Sequence, residues 1–203
     1  MGQIKGGKPQ EVEPIKSLKD IKKVKQFLLG KDNKRDYALF TLGINIGLRA
    51  SDLLQLKIID VIENNRVKDH VVITEQKTGK VRSFELNKSA KECIDLYLDS
   101  LPSYSADDYL FKSRKGTNEP LTVRSLHKII KETMKELGIR GNYGTHSLRK
   151  TFGYHVYAKN VADNPMILPT LQKMFNHSSQ EITLRYIGIT KDVIRDVYNG
   201  LNL

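Results

Sequence analysis

Apolar residues recur along this chain first at helical and then at alternating spacing. From Ser17, the run SLKDIKKVKQFLL puts Leu18, Ile21, Val24, Phe27 and Leu28 on one face of a helix, with Asp20 three residues after the Ser17 cap and Gly30 at the end. The opposite face is a row of lysines. A second helix, over roughly 33–47, carries Tyr37, Phe40, Leu42, Ile44 and Ile46 and stops at Gly47, so that Arg49 lies just past a buried helix. Between 67 and 86 the pattern becomes β-rich: VKDHVVIT and VRSFEL flank the turn around KTGK, a hairpin with Lys77 at its tip. Helical spacing returns over about 88–99, 122–137 (ended by Gly138), 147–159, 165–175, 179–186 and, after Thr190, 190–199. DYLF at 108–111 reads as an extension of the hairpin sheet. The fold class expected is mainly α with one small antiparallel β-sheet, an α+β domain over 15–203. Before it, residues 1–14 hold three glycines and two prolines without periodicity and read as a flexible leader or linker remnant.

Composition changes the picture in one respect. With 203 residues, 39% hydrophobic and 28% charged, the chain is long enough for a buried core and has ordinary globular composition. Its 34 lysines and arginines against 23 acidic residues leave a net charge of +11, the electrostatic footprint of a protein that sits on a polyanion. Cys93 is the only cysteine, which excludes an internal disulfide and a cysteine zinc cage and points to a reducing compartment. Neither the N-terminal run nor ALFTLGINIGL at 38–48 has the length and apolarity of a signal core or a membrane span, so a soluble, cytoplasmic protein is expected.

The chemistry lies in five separated pieces: Arg49 in GLRASD, Lys77 in QKTGK, His146 and Arg149 in THSLR, His177 in FNHSS and Tyr186 in LRY. Phosphodiester cleavage by an oxygen nucleophile places extra negative charge on the non-bridging oxygens. Divalent metals neutralise that charge when clustered carboxylates hold them, and no such cluster accompanies the histidine motifs. Arginine is the alternative, a planar fork that donates paired charge-assisted hydrogen bonds and keeps its proton. Arg49 and Arg149 could clamp one phosphate, with Asp52 pairing with Arg49 or holding the local backbone. The i, i+3 spacing of His146 and Arg149 sets both on one side of a helix. His177 could add a further donor. Lys77 on a hairpin could protonate a departing 5′ oxygen, with Lys80 as the rival. Tyr186 could be the nucleophile, its phenolate favoured by the same cations. His70, His127 and His155 have no comparable context and are assigned to structure or surface.

In that order these residues resemble the Arg, Lys, His-x-x-Arg, His or Trp, and Tyr pattern of the tyrosine recombinases and phage integrases. The resemblance covers nearly the whole chain. It implies a site-specific recombinase catalytic domain that cuts and rejoins DNA through a 3′-phosphotyrosine, without metal, cofactor or ATP. The implied partner is double-stranded DNA rather than a small molecule or a membrane, with self-association as a tetramer on two duplexes, to which the amphipathic end KDVIRDVYNGLNL could contribute. Two readings share the residues: a silent DNA-binding regulator, and strand relaxation of the type IB topoisomerase kind. Two departures from the pattern stand out. Phe175-Asn176 replaces the usual Leu-Gly before the last histidine, with extra length in NVADNPMILPT. Family integrases also usually carry a core-binding domain that closes a clamp around DNA. The residues before Ile15 cannot hold one, so a catalytic fragment of a longer protein, or a single-domain member that binds DNA weakly or borrows its clamp from a partner, is expected.

Overall fold

The computed structural model describes residues 11–201. Among these, ten helices and two hairpins follow in order: α1 (Leu18–Gly30), α2 (Lys34–Ile46), α3 (Ala50–Leu54), α4 (Ile58–Val61), β1 (Ile62–Glu63), β2 (Arg66–Val67), β3 (His70–Thr74), β4 (Val81–Glu85), α5 (Lys88–Leu98), α6 (Val123–Glu136), α7 (Thr145–Asn160), α8 (Ile167–Phe175), α9 (Gln180–Tyr186) and α10 (Ile189–Gly200). Several helices start on side-chain caps: Ser17, Asn33, Asn87, Thr122 and Ser179 each accept a first-turn backbone N–H.

α2 is the centre of the domain, packed by α1, α5 and α7. It buries Ala38, Leu39, Phe40, Leu42 and Ile46, and Gly43 and Gly47 let α7 approach closely. A Cβ at Gly43 would meet Leu148 Cδ1 at 2.6 Å, and one at Gly47 would meet the Phe152 ring at 2.3 Å. Most buried apolar residues form one cluster around α2. A second, smaller cluster of Ile167, Leu171, Phe175 and Ile187 is backed by Phe152, Tyr154 and Tyr186. α7 lies in both, with Leu148 in the larger and Phe152 against the smaller.

Three expectations change. Leu18, counted on the core face of α1, is 71% exposed, and the buried stripe begins further along with Val24 and Leu28. DYLF does not extend the hairpin sheet: Leu110 N–H donates to Leu56 O at 2.7 Å and Tyr109 bridges Lys57, which draws Leu110 and Phe111 into the core. The β3–β4 hairpin is present in the register Val71–Phe84 and Ile73–Arg82, but it is not the only β-structure. β1 and β2 pair as a second hairpin whose central residues, Asn64 and Asn65, both have positive φ (49° and 58°), as a tight primed turn requires.

Of the expected leader, residues 1–10 lie outside the described residues. Residues 11–15 run along α7: Ile15 N–H donates to Thr151 Oγ1 (2.8 Å), and Ile15 O lies 2.9 Å from His155 Nε2. At the other end, α10 buries none of its residues, and Val193, Ile194, Val197 and Tyr198 are all more than half exposed. Among the described residues no helix is long and apolar enough to cross a membrane.

Candidate active site

The C-terminus of α2 sets the first arginine. Gly47 closes the helix in the left-handed region (φ 59°), Leu48 is buried, and Arg49 follows in extended conformation as the residue that opens α3. Its nearest acid is not the one expected. Arg49 Nη1 lies 2.7 Å from Glu75 Oε2 and 3.8 Å from Asp52 Oδ2, while Asp52 Oδ1 accepts from Gln76 N–H at 2.9 Å and so ties the hairpin to α3. Glu75 also accepts from Thr78 Oγ1 and pairs with Arg82 Nη1 at 3.4 Å. Burial alone would raise the Glu75 carboxyl; the Thr78 hydroxyl and the two arginines outweigh it and hold it down at about 2.

Arg149 is 3% exposed and grips both halves of the site. Its Nη1 donates to Gly47 O at 2.8 Å, its Nη2 to Phe175 O at 3.2 Å, and the guanidinium carbon lies 4.6 Å from the Phe175 ring centre. Arg82 Nη2 reaches the same Gly47 carbonyl at 3.3 Å. Burial and the neighbouring Arg82 charge lower Arg149 to about 10, which still leaves it protonated at neutral pH. α7 begins at Thr145, two residues earlier than the periodicity indicated, so His146 lies in its first turn, exposed and on the side of Arg149. Partial burial and the cations of Lys150, Arg149, Arg49 and Lys77 push His146 below its ordinary value.

The last two residues come from the smaller cluster. α8 ends at Asn176, whose left-handed backbone (φ 56°, ψ 47°) is the conformation that otherwise selects glycine, so Asn in place of the family's Gly keeps the turn. His177 follows, with its N–H on Gln172 O and Nδ1 3.1 Å from Thr183 Oγ1. Thr183 itself donates to Ser179 O at 3.2 Å, so its oxygen receives the proton from Nδ1 and leaves Nε2 for another partner. Tyr186 ends α9, its ring edge-on to Phe175 (5.6 Å) and His177 (5.0 Å). Burial raises the Tyr186 phenol and outweighs the expected pull of Arg149 and Arg49, which does favour the phenolate, so the net shift is upward and the resting residue is a neutral phenol.

A cavity of about 560 Å³ has Arg49, Lys77, His146, Arg149, His177 and Tyr186 all in its wall, with Val123 from the start of α6. Lys77 is exposed on the hairpin tip, with no acidic partner among the described residues. Lys80 Nζ donates instead to Asn176 Oδ1 at 3.2 Å, which commits the rival lysine and fastens the hairpin to the end of α8. Sequence reasoning missed Glu75, Arg82 and Lys150. The first two flank the KTGK turn, and an acid and an arginine there are the signal that could have drawn attention to them. His70 pairs across the hairpin with Glu85, outside this cavity.

Comparison with known proteins gives the chain a family and a shared fold. The chain matches the phage integrase family over residues 15–192. It is 44% identical over 189 residues to the probable integrase/recombinase YoeC of Bacillus subtilis (strain 168), covering 92% of this chain and 95% of that one. It is 28% identical to the tyrosine recombinase XerC of Caldanaerobacter subterraneus subsp. tengcongensis, covering 90% of this chain but only 49% of that one. The crystal structure of XerA recombinase shares the fold, with a TM-score of 0.69 at 21% identity over 98% of this chain and 67% of that one. With the motif order, the fold and these relatives in agreement, the chain belongs to the phage integrase family, the tyrosine recombinases.

Proposed function

We propose that this chain cuts and rejoins DNA at specific sites, as the catalytic domain of a recombinase, with Tyr186 as nucleophile. The observation that carries the reading is the convergence of Arg49, Lys77, His146, Arg149, His177 and Tyr186 on one cavity. Arg49 and Arg149 hold the scissile phosphate between them, with His146 as a further donor to its non-bridging oxygens, and with His177, whose Nδ1–H is on Thr183, donating from Nε2 once the phosphate charge has protonated the ring. The Tyr186 oxygen attacks phosphorus and gives its proton to solvent in the cavity, the bond to the 5′ oxygen breaks, and Lys77 delivers a proton to that oxygen. The product is a 3′-phosphotyrosine and a free 5′ hydroxyl. Attack by a 5′ hydroxyl on the phosphotyrosine reverses the step and, from another strand, exchanges partners.

The raised phenol fits this scheme. A neutral tyrosine is idle until a phosphate fills the cavity, and charge on its oxygen then develops only as the bond to phosphorus forms. Net charge of +11 supports salt-sensitive DNA binding, with α6 and the start of α7 as the groove-facing elements, in the cytoplasm. The uncovered apolar stripe of α10, Val193, Ile194, Val197 and Tyr198, supports docking on a second copy of the chain in a tetramer on two duplexes.

A pool of randomised, nicked suicide duplexes tests the proposal whatever the target sequence is. Wild-type protein should yield a denaturant-resistant adduct that mass spectrometry maps to Tyr186, and Tyr186→Phe should fold but yield none. An adduct of equal yield in Tyr186→Phe, or none from the wild type, overturns it.

A further inference from the structure

Lys150 is charged, almost fully buried at 3% exposure, and has no part in the mechanism above. It follows Arg149 on α7, and successive helix residues point about 100° apart, so the two cations reach Tyr186 from different directions. The Lys150 ammonium lies 4.7 Å from the centre of the Tyr186 ring. It is ion-paired with Glu11, from the segment ahead of α1. That segment is held to α7 and its surroundings by Ile15 on Thr151 and by Glu13 N–H on Asn142 O at 2.8 Å. A second cavity, of about 310 Å³, has Glu11, Lys150 and Tyr186 in its wall. Tyr186 therefore lines two cavities, one with Arg49 and Arg149 in its wall and the other with Lys150.

A buried ammonium is costly unless paired, and an apolar side chain of similar length would fill the same space at lower cost. The partners of Lys150 account for its retention. One is a carboxylate. The other is the ring of the nucleophile itself, whose attraction for a cation grows as the ring takes on phenolate charge. The remaining groups that act on Tyr186 are Arg149, also from α7, Arg49 from the turn after α2, His177 from the turn after α8, and Glu11, which opposes its ionisation. Arg185 of α9 and Lys191 and Arg195 of α10 share the wall of the second cavity.

We propose that Lys150 is a positioning residue for the nucleophile: anchored by Glu11, its ammonium fixes the Tyr186 ring and stabilises the charge that the ring acquires on attack. The proposal rests on reading Tyr186 as the nucleophile. It makes the segment before α1 part of the catalytic apparatus, because the anchor of Lys150 comes from there.

Two measurements on Lys150→Met, Lys150→Arg and wild type test it, with thermal unfolding of each as a check on folding. In single-turnover cleavage of a suicide duplex, Lys150→Met should be slower by roughly tenfold at unchanged DNA affinity, with its pH–rate profile displaced to higher pH, and Lys150→Arg should recover most of the rate. Without DNA, phenolate absorbance of each protein minus that of its Tyr186→Phe counterpart gives the titration of Tyr186, which should rise by about one pH unit in Lys150→Met. If the methionine variant fails to fold, Lys150→Gln, whose amide can still bond to Glu11, carries the same two expectations. A neutral variant that melts lower yet cleaves and titrates like wild type gives Lys150 a purely structural role and overturns the proposal. A wild type that forms no adduct strikes the recombinase reading instead, and the phenolate titration then decides the role of Lys150 by itself.

Discussion

Replacing Gly47 with alanine tests the joint between fold and site. The backbone there has φ +59°, which for a residue with a Cβ costs roughly 1–2 kcal/mol. The added methyl would also sit 2.3 Å from Phe152 Cδ1 and 2.8 Å from Cγ, at the base of a ring packed edge-on against Phe175, and overpacking of that kind costs about 1–3 kcal/mol. Together Gly47→Ala should lose about 2–5 kcal/mol, measured by urea unfolding, and at about 2–4 °C per kcal/mol for a chain of this size the melting temperature should fall by roughly 4–20 °C. Two controls separate the contributions. Gly79 has φ +64° and open space around its Cβ position, so Gly79→Ala reports backbone strain alone. Gly153, within α7, would place a Cβ 2.7 Å from both Phe175 and Ile187, so Gly153→Ala reports the clash, offset by roughly 1 kcal/mol of helix propensity. Because Arg149 and Arg82 both hydrogen-bond to Gly47 O, the folded fraction of Gly47→Ala should also cleave DNA more slowly than wild type. A Gly47→Ala protein no less stable than Gly79→Ala would refute the inferred closeness of α2 and α7.

The acidic and turn residues around the arginines give further expectations. Glu75 is held at about 2 against an ordinary 4.5, so its contribution to stability is complete above about pH 4.5 and is lost as pH falls toward 2; acid unfolding of Glu75→Gln should lack that part of the slope and start from a lower midpoint. Asn176→Gly should leave the unfolding midpoint within about 0.5 kcal/mol of wild type, since glycine accepts the same left-handed backbone, whereas Asn176→Ala should lose about 1 kcal/mol or more.

The helices were legible because each carries its own local signals. Ser17 with Asp20, Thr122 and Ser179 mark starts, and Gly30, Gly47 and Gly138 mark ends, independent of what packs where. Short elements were not legible, because α3 and α4 are shorter than the span over which a helical period can be counted. The β1–β2 hairpin did leave a trace in the Asn64–Asn65 pair. DYLF forms no strand: only Tyr109 makes a bridge, to Lys57, and Leu110 and Phe111 lie in a turn, since a short apolar run does not name its neighbour or its conformation. In the site, the spacing of His146 and Arg149 is a property of one helix and survives in the sequence. The pairing of Arg49 with Glu75 rather than Asp52 depends on how the hairpin folds over α3. Lys150 beside Arg149 looks like the continuation of a basic surface, and only packing reveals it as buried. For Tyr186 the pull of the arginines was legible and the opposing burial was not, for a related reason: burial is a property of the folded protein.

The division of the interior into two clusters also separates death of the enzyme from death of the fold. Arg49 and the hairpin with Lys77 stand on the larger cluster and Tyr186 and His177 on the smaller, with Arg149 bonded to a carbonyl of each, Gly47 O and Phe175 O. On the proposed roles, an opening confined to the smaller cluster would carry Tyr186 away from Arg49 and leave the rest of the domain standing. Such an opening has its own, lower free energy than global unfolding, and a partner that seats α8 to α10 more firmly raises the fraction of molecules ready to cut without touching DNA or the reacting atoms. On the proposed roles, the fraction of molecules ready to cut would be set by how firmly the smaller cluster is seated on the larger, a point of control remote from the bond that breaks.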